Sequence, residues 1–182
     1  MIVGIDFDTY KAALCLLWPA GPEFRIAAFR PASASGEAAA FRALVGAGLA
    51  VRLALGTSVA DDPAAEPVFV VERGFGSSRR ADFALGAFYG VIVATLAQHY
   101  PRGRVVSMTP AEWKKATSAA CGVETRAGGR GNGALKKDVA HVYVRRVLAE
   151  SGVGDDDLAG RPSDILDAFA LAWTQQRKET TT

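Results

Sequence analysis

The chain has 182 residues, of which 49% are hydrophobic and 22% are charged. This composition is that of an ordinary globular domain and excludes a disordered or collagen-like chain, and the length predicts a single domain over residues 1–182. No apolar run approaches the ~18–20 residues that cross a bilayer, two cysteines are too few for a disulfide framework, and no signal peptide precedes the first strand, so we expect a cytoplasmic protein.

The formal net charge of +2 conceals an uneven distribution along the chain. Residues 1–72 and residues 151–182 each carry a net charge of −3, whereas residues 73–150 hold 13 basic and 5 acidic side chains, a net charge of +8. Such a basic block is typical of a surface that binds a polyanion. The alternative interpretation is a solvated helical face rich in arginine.

The first half of the chain predicts strands followed by a helix. Residues 2–7, 11–18 and 24–29 have the apolar, turn-bounded pattern of strands, which short turns would join into an antiparallel meander. From Ser35 onward the apolar residues recur every four positions and predict a helix, with Ser33 or Ser35 as its cap. The apolar stripe of this helix consists of Phe41, Val45, Leu49 and Leu53.

The middle of the chain predicts two short strands with a long helix between them. Residues 67–72 form an apolar strand that ends on a carboxylate, residues 80–99 form the helix, and residues 104–108 form the second strand. Within the helix, Gly86 and Gly90 lie four residues apart, where small residues permit the close approach of a second helix.

The last third of the chain predicts helices separated by a glycine-rich segment. The Thr-Pro-Ala-Glu of residues 109–112 is a helix start, with a threonine cap, proline in the first position and glutamate three residues after the cap. The Gly/Arg-rich segment at 122–133 is expected to be mobile. A helix over 134–151, a last helix from about Ser163 and a short disordered C-terminal tail complete the chain. This order of elements predicts an α/β fold with helices packed on a mixed sheet.

Four carboxylates stand at unusual positions in these elements. Asp6 lies inside the apolar run of the first strand, where an unpaired charge is costly, and Glu72 ends a strand whose preceding residues are apolar. Asp164 and Asp167 lie three residues apart at the start of an apolar helix and therefore share one helix face. Acids on a first strand, at a later strand end and on the last helix can converge on one site.

Each acid also has a purely structural interpretation. Asp6 could form a turn, Glu72 could pair with Arg73 or Arg79, and the helix pair could complement the helix dipole. The set as a whole favours a metal site, because converging carboxylates repel one another unless they hold a cation. Mg²⁺ prefers oxygen ligands, and two such ions can activate a water and stabilise the leaving oxygen of a phosphodiester. Together with the basic block, this chemistry indicates a nucleic-acid backbone as the substrate.

Three motifs carry a family resemblance that extends in order over almost the whole chain. They are the Gly-Ile-Asp of residues 4–6, the strand-ending Glu72, and the Asp-x-x-Asp-Ala-x-Ala-Leu-Ala of residues 164–172. With these motifs the chain resembles the RuvC family of Holliday-junction resolvases, in the RNase H-like superfamily. Within that family it resembles a phage-type member. The resemblance implies an α/β, RNase H-like mixed five-stranded sheet, three strands antiparallel and two parallel, flanked by helices on both faces.

The resemblance also implies an activity. It implies a Mg²⁺-dependent, structure-selective DNA endonuclease that resolves Holliday junctions in DNA recombination and repair, with forks and flaps as further branched substrates. Paired two-metal-ion hydrolysis by a homodimer would leave 5′-phosphate and 3′-hydroxyl ends, and Mn²⁺ would substitute for Mg²⁺. The implied compartment is the cytoplasm of a bacterium or a phage-infected host. The implied catalytic and metal-binding residues are Asp6, Glu72, Asp164 and Asp167, with Asp6 bridging the two ions.

The chain departs from the family pattern at two places. Phe7 and Asp8 stand where the family has Pro-Gly, and Asp8 either caps the following turn or adds an acid at the edge of the site. The glycine-arginine stretch at 126–133 is longer than is usual in the family, which affects the choice of junction and any preferred cleavage sequence.

Basic residues of the middle block are the candidates for contact with DNA, since Lys and Arg neutralise backbone phosphates without reading sequence. A solvated basic face is the alternative. Phe75 would stack on bases at the junction centre or anchor its own loop. The predicted DNA-binding residues are Arg73, Phe75, Arg79, Arg80, Lys114, Lys115, Arg126, Arg130, Lys136 and Lys137.

The remaining chemistry-bearing side chains have structural interpretations. His141 is predicted to be a packing residue within its helix rather than a ligand, and Cys15 is predicted to be buried and inert. The tryptophans Trp18, Trp113 and Trp173 are predicted to be core anchors.

Two other functions are weighed against the nuclease. A non-catalytic branched-DNA-binding module on the same fold is disfavoured because all four acids are present. A phosphotransferase of the sugar-kinase/actin type is suggested by residues 4–9, which loosely resemble a phosphate loop of that superfamily. It is disfavoured because that fold needs two such domains and because Asp8 stands where a glycine is needed.

Overall fold

A computed structural model describes residues 1–29, 37–56, 66–73, 79–123, 137–154, 156–158 and 163–181. The strands are β1 (Ile2–Phe7), β2 (Lys11–Trp18), β3 (Gly21–Ala28), β4 (Val68–Glu72) and β5 (Arg104–Met108). The helices are α1 (Glu37–Leu55), α2 (Arg79–His99), α3 (Pro110–Ala120), α4 (Lys137–Glu150) and α5 (Asp164–Thr180), with a single 3₁₀ turn at Asp156–Leu158.

The strands form one five-stranded mixed sheet in the order β3-β2-β1-β4-β5. Strands β1, β2 and β3 pair antiparallel, while β1–β4 and β4–β5 pair parallel, which confirms the predicted sheet. In the parallel ladder Ile5 is the partner of Val71, so the next residues, Asp6 and Glu72, lie side by side at the end of adjacent strands. The register therefore places two of the four acids together.

Each face of the sheet has its own hydrophobic core. Along β2 the side chains alternate, so that Cys15 belongs to one core and Leu14 to the other. The first core also contains residues of α3, α4 and α5, and the second contains residues of α1 and α2. Helices thus cover both faces, as predicted.

Helix α5 lies directly against the central strand because Gly4 has no side chain. A Cβ atom at Gly4 would lie 1.9 Å from the carbonyl oxygen of Ala168. This backbone contact brings the first turn of α5 to the end of β1 where Asp6 lies, and so determines which strand the helix acids face.

Helix α1 includes the predicted apolar stripe but does not have the orientation that this stripe suggests. The predicted stripe is turned to solvent, because its four side chains are 49–70% exposed. The buried face instead consists of Ala47, Val51 and Leu55. At Gly48 an added Cβ atom would meet Thr95 Oγ1 at 2.4 Å, so small residues let α1 pack closely on α2. The predicted stripe therefore forms an exposed apolar face of α1, which consists of Phe41, Val45, Leu49 and Leu53.

Several sequence-based expectations lie outside the described residues. These are the cap at Ser33 or Ser35 and the glycine-rich segment from residue 124 onward. Helix α5 continues to Thr180 with Thr181 as its C-cap, and Thr182 lies outside the described residues. No helix in the part of the chain that the structure describes has the length and apolar character needed to span a membrane.

Candidate active site

Three secondary-structure elements bring the four predicted acids to one end of the sheet. Asp6 is near the end of β1 and only 8% exposed, and Glu72 is the last residue of β4. Asp164 and Asp167 lie in the first turn of α5, and Asp167 is only 4% exposed. The predicted convergence of the acids is therefore present in the fold.

The pKa of Asp6 reflects its burial and how close the other three acids lie. Its pKa is raised well above the usual value, first because the side chain is buried and then because the Glu72 carboxylate is close. A hydrogen bond with Glu72 and the charges of Asp167 and Asp164 raise the pKa further. Asp6 is thus the centre of a group of acids that repel one another in the absence of a cation.

Three of the acids also have a hydrogen-bonding or charged partner from a different element. Lys11 Nζ lies 2.6 Å from Asp164 Oδ2, and this contact raises the pKa of Lys11. His141 Nε2, on α4, lies 2.6 Å from Asp167 Oδ1. These two contacts connect the helix acids to β2 and to α4.

The third partner is a tryptophan of α3. Trp113 Nε1 donates a hydrogen bond to Glu72 Oε1 at 2.9 Å, and the Trp113 side chain is 1% exposed. Trp113 is therefore a core anchor, as predicted, but it also contacts an acid of the site. Likewise His141 is a satisfied packing residue that contacts Asp167, a contact that the sequence analysis missed.

The donor chemistry of the site fits a hard divalent cation, because carboxylate oxygens are the ligands that Mg²⁺ prefers. The positions of the side chains, in contrast, do not form a ready metal site. In the ranges described, no three His, Cys, Asp or Glu side chains are arranged to hold one metal ion together. Glu72, Asp164 and Asp167 each also contact a partner outside the group of acids. Metal binding would require the helix acids Asp164 and Asp167 to turn from Lys11 and His141 toward Asp6.

Asp8 has a local role in the turn between β1 and β2. Its Oδ1 accepts hydrogen bonds from the backbone N–H groups of Tyr10 and Lys11. This is the pattern of a turn-capping aspartate, so the first of the two interpretations of Asp8 applies.

The predicted DNA-contacting residues that the structure describes lie around this end of the sheet. Arg73 follows Glu72, and its backbone N–H donates to Met108 O at 2.8 Å. Arg79 and Lys115 are exposed, while Lys114 Nζ lies 5.4 Å from the centroid of the Trp113 ring. Outside the described residues are Phe75, Arg126, Arg130, Lys136 and the side chains of Arg80 and Lys137.

No family model matches the sequence, and neither does the sequence of any curated protein. The fold is similar to that of a solved structure, T. thermophilus RuvC in complex with Holliday junction substrate. The two share a TM-score of 0.64 and 17% sequence identity over 99% of this chain and 94% of that chain. At this identity the likeness shows the fold, an RNase H-like mixed sheet flanked by helices, and nothing of the chemistry.

Proposed function

We propose that the protein is a structure-selective DNA endonuclease that resolves Holliday junctions and also cuts other branched DNA. The observation that carries the proposal is the convergence of four acids around Asp6, whose pKa is raised first by burial and then by the nearby carboxylates of Glu72, Asp167 and Asp164. Such a cluster is stable when it holds cations. The fold that the chain shares with RuvC, a protein solved on Holliday junction DNA, supports this substrate.

In the proposed mechanism the chain's own residues supply an oxygen-lined, partly buried site. Bound between these carboxylates, two Mg²⁺ ions would supply Lewis-acid stabilisation to a phosphodiester and lower the pKa of a water. Asp6 would contribute the shared ligand, Glu72 a ligand from β4, and the α5 pair the remaining ligands. The expected products have 5′-phosphate and 3′-hydroxyl ends, and Mn²⁺ should replace Mg²⁺.

Basic side chains beside the acids would hold the DNA. Arg73, Arg79 and Lys115 are exposed near the end of β4 and on α2 and α3, and we propose that they contact backbone phosphates. Each such contact releases counterions, so binding should weaken steeply as salt rises. This surface would give affinity, while the shape of the branched substrate would give selectivity.

We further propose that the protein acts as a homodimer, which would present two sites to a four-way junction. The outer faces of α1 and α2 suit this role. Phe83 on α2 is 81% exposed, and an added Cβ atom at Gly86 or Gly90 would meet nothing within 4 Å. The open apolar residues of α1 are Phe41, Val45, Leu49 and Leu53.

The size of this surface suits a second copy of the chain. Helices of 19 and 21 residues are each about 30 Å long and about 10 Å wide, so together they present about 600 Å². Two copies would bury about 1,200 Å², at the lower end of specific interfaces. Leu49→Glu should convert a dimer to a monomer in sedimentation, whereas Ala119→Glu, at an exposed position of α3, should not. A wild-type protein that sediments as a monomer at micromolar concentration would contradict the dimer.

A cleavage assay tests the activity itself. A labelled four-way junction, a flap, a replication fork and a linear duplex are incubated with the protein and Mg²⁺, Mn²⁺ or EDTA. We expect paired nicks in the junction with either metal, slower cleavage of the other branches, and none in EDTA. If no branched substrate is nicked at high enzyme concentration, the nuclease proposal is wrong and a binding module becomes the better interpretation.

A further inference from the structure

The indole of Trp113 donates a hydrogen bond to an acid of this site and, unlike a lysine or histidine side chain, it does not gain or lose a proton as pH changes. Its Nε1–H is the side chain's single hydrogen-bond donor, and a buried tryptophan usually finds a partner for it. Here the partner is Glu72 Oε1, at 2.9 Å. The ring lies in the core on this face of the sheet, together with Met108 and Leu166, and is 1% exposed. The donor is therefore held rigidly by packing.

The turn between β5 and α3 explains how Trp113 reaches Glu72. Met108 is the partner of Glu72 in the parallel ladder, so the chain leaves β5 beside this acid. Thr109 and Glu112 form a capping box that starts α3 immediately. Trp113 is then one turn into the helix and lies over the end of β4.

Two further contacts lie at the start of α3, one with α5 and one within the helix itself. Lys178 Nζ of α5 lies 3.5 Å from Glu112 Oε1. On α3 itself, Lys114 Nζ lies 5.4 Å from the Trp113 ring centroid, within cation–π range. Trp113 thus contacts an acid of the site through its N–H and a candidate phosphate-binding lysine through its ring face.

We propose that Trp113 is a positioning residue that fixes the direction of the Glu72 carboxylate for cation binding. This inference rests on the proposed function. With Oε1 held by the indole, Oε2 is the oxygen that can turn toward the other acids. Without the N–H donor, the Glu72 carboxylate would lose the contact that fixes Oε1 and would rotate more freely. Outer partners of metal ligands typically contribute about 10–100-fold in metal affinity or activity.

The test uses Trp113→Phe, which keeps an aromatic ring in the core and removes the N–H. Trp18→Phe is the matched control, because Trp18 is at the opposite end of β2, next to the β2–β3 turn. Lys114→Met separates any effect of the cation–π contact from that of the hydrogen bond. Mn²⁺ affinity is measured by calorimetry, the Mg²⁺ dependence of junction cleavage by single-turnover kinetics, and folding by circular dichroism.

We expect Trp113→Phe to weaken Mn²⁺ binding about 10–100-fold and to raise the Mg²⁺ concentration for half-maximal cleavage by a similar factor. At saturating Mg²⁺ its cleavage rate should approach that of wild type, because a positioning residue does not touch the substrate. The Trp18→Phe and Lys114→Met proteins should bind Mn²⁺ as wild type does. A Trp113→Phe protein with wild-type Mn²⁺ affinity and Mg²⁺ dependence would overturn the proposal.

A second measurement does not require the Trp113→Phe protein to fold. The ¹⁵N-indole resonance of Trp113 should differ between metal-free wild type and metal-free Glu72→Ala, which lacks the acceptor, while those of Trp18 and Trp173 should be the same in both proteins. An unmoved Trp113 resonance would overturn the positioning role and leave the nuclease proposal intact. If wild type binds no Mn²⁺, the positioning role and the metal-dependent function fail together.

Discussion

Replacing Asp6 with asparagine tests whether the acids repel one another in the metal-free protein. Asparagine has nearly the shape of a protonated aspartate and can still donate a hydrogen bond to Glu72. The pKa of Asp6 is raised in the folded protein by burial and by Glu72, above the unfolded value of about 3.9. Wild type therefore loses stability as pH rises from about 4 through the raised pKa of folded Asp6, and Asp6→Asn avoids this loss.

The size of the effect follows from the contact between Asp6 and Glu72. Two unit charges ~4 Å apart in an effective dielectric of ~20 repel by about 4 kcal/mol, which is an upper limit. Because the hydrogen bond between the two side chains relieves part of the repulsion, we expect Asp6→Asn to gain about 2 kcal/mol, or about 4–8 °C in Tm.

Thermal unfolding in EDTA between pH 4 and pH 8 measures this gain. The Tm difference between Asp6→Asn and wild type should be near zero at pH 4 and largest at pH 8. Adding Mg²⁺ should raise the Tm of wild type and have little effect on Asp6→Asn. Asp8→Asn is the control, because its Oδ1 can still cap the turn. An Asp6→Asn protein that is no more stable than wild type at pH 8 in EDTA would refute the reasoning.

Three further predictions concern other parts of the structure. Gly4→Ala should lower stability by about 1–3 kcal/mol or more, because the added Cβ meets the carbonyl of Ala168, whereas Gly154→Ala, whose Cβ would lie at an ordinary 3.7 Å from Asp157 Oδ2, should have little effect; equal Tm values for the two would be inconsistent with the close packing of α5. Thr174→Val should raise Tm by about 2–4 °C, because Thr174 Oγ1 is buried with no hydrogen-bond partner among the described residues, and a lower Tm would mean that the hydroxyl is satisfied. Lys115→Ala should weaken junction binding and reduce the slope of log K against log salt concentration by about one, as measured by fluorescence anisotropy. An unchanged slope would mean that Lys115 does not contact the DNA.

The strands, and the acids that interrupt or end them, could be predicted because their signals are local, whereas the parallel pairing in the sheet was implied only by the family resemblance. An acid inside a buried strand, such as Asp6, or at the end of one, such as Glu72, departs from the hydrophobic pattern at a single position. The helix acids repeat at helical spacing and need no knowledge of neighbouring elements. Strand bounds were predicted closely for β1, β2 and β5, since turns and charges limit them on both sides.

The partners of the acids could not be predicted in this way. The contact between Trp113 and Glu72 spans 41 positions, and that between His141 and Asp167 spans 26. Such contacts depend on how α3 and α4 pack on the sheet, which leaves no periodic signal in the sequence. The orientation of α1 was missed for a related reason. Its two apolar faces are both helical in spacing, and the buried one includes Gly48, where an added Cβ atom would meet Thr95 of α2.

If the acids around Asp6 form the active site, cleavage of branched DNA requires them. The most direct test of this requirement is single-turnover cleavage of one labelled four-way junction by wild type and by Asp167→Asn, at protein concentrations that saturate the junction in a parallel binding experiment. We predict that both proteins bind the junction with similar affinity, and that only wild type makes paired nicks in Mg²⁺. An Asp167→Asn protein that cuts as fast as wild type would contradict the assignment of this cluster as the active site.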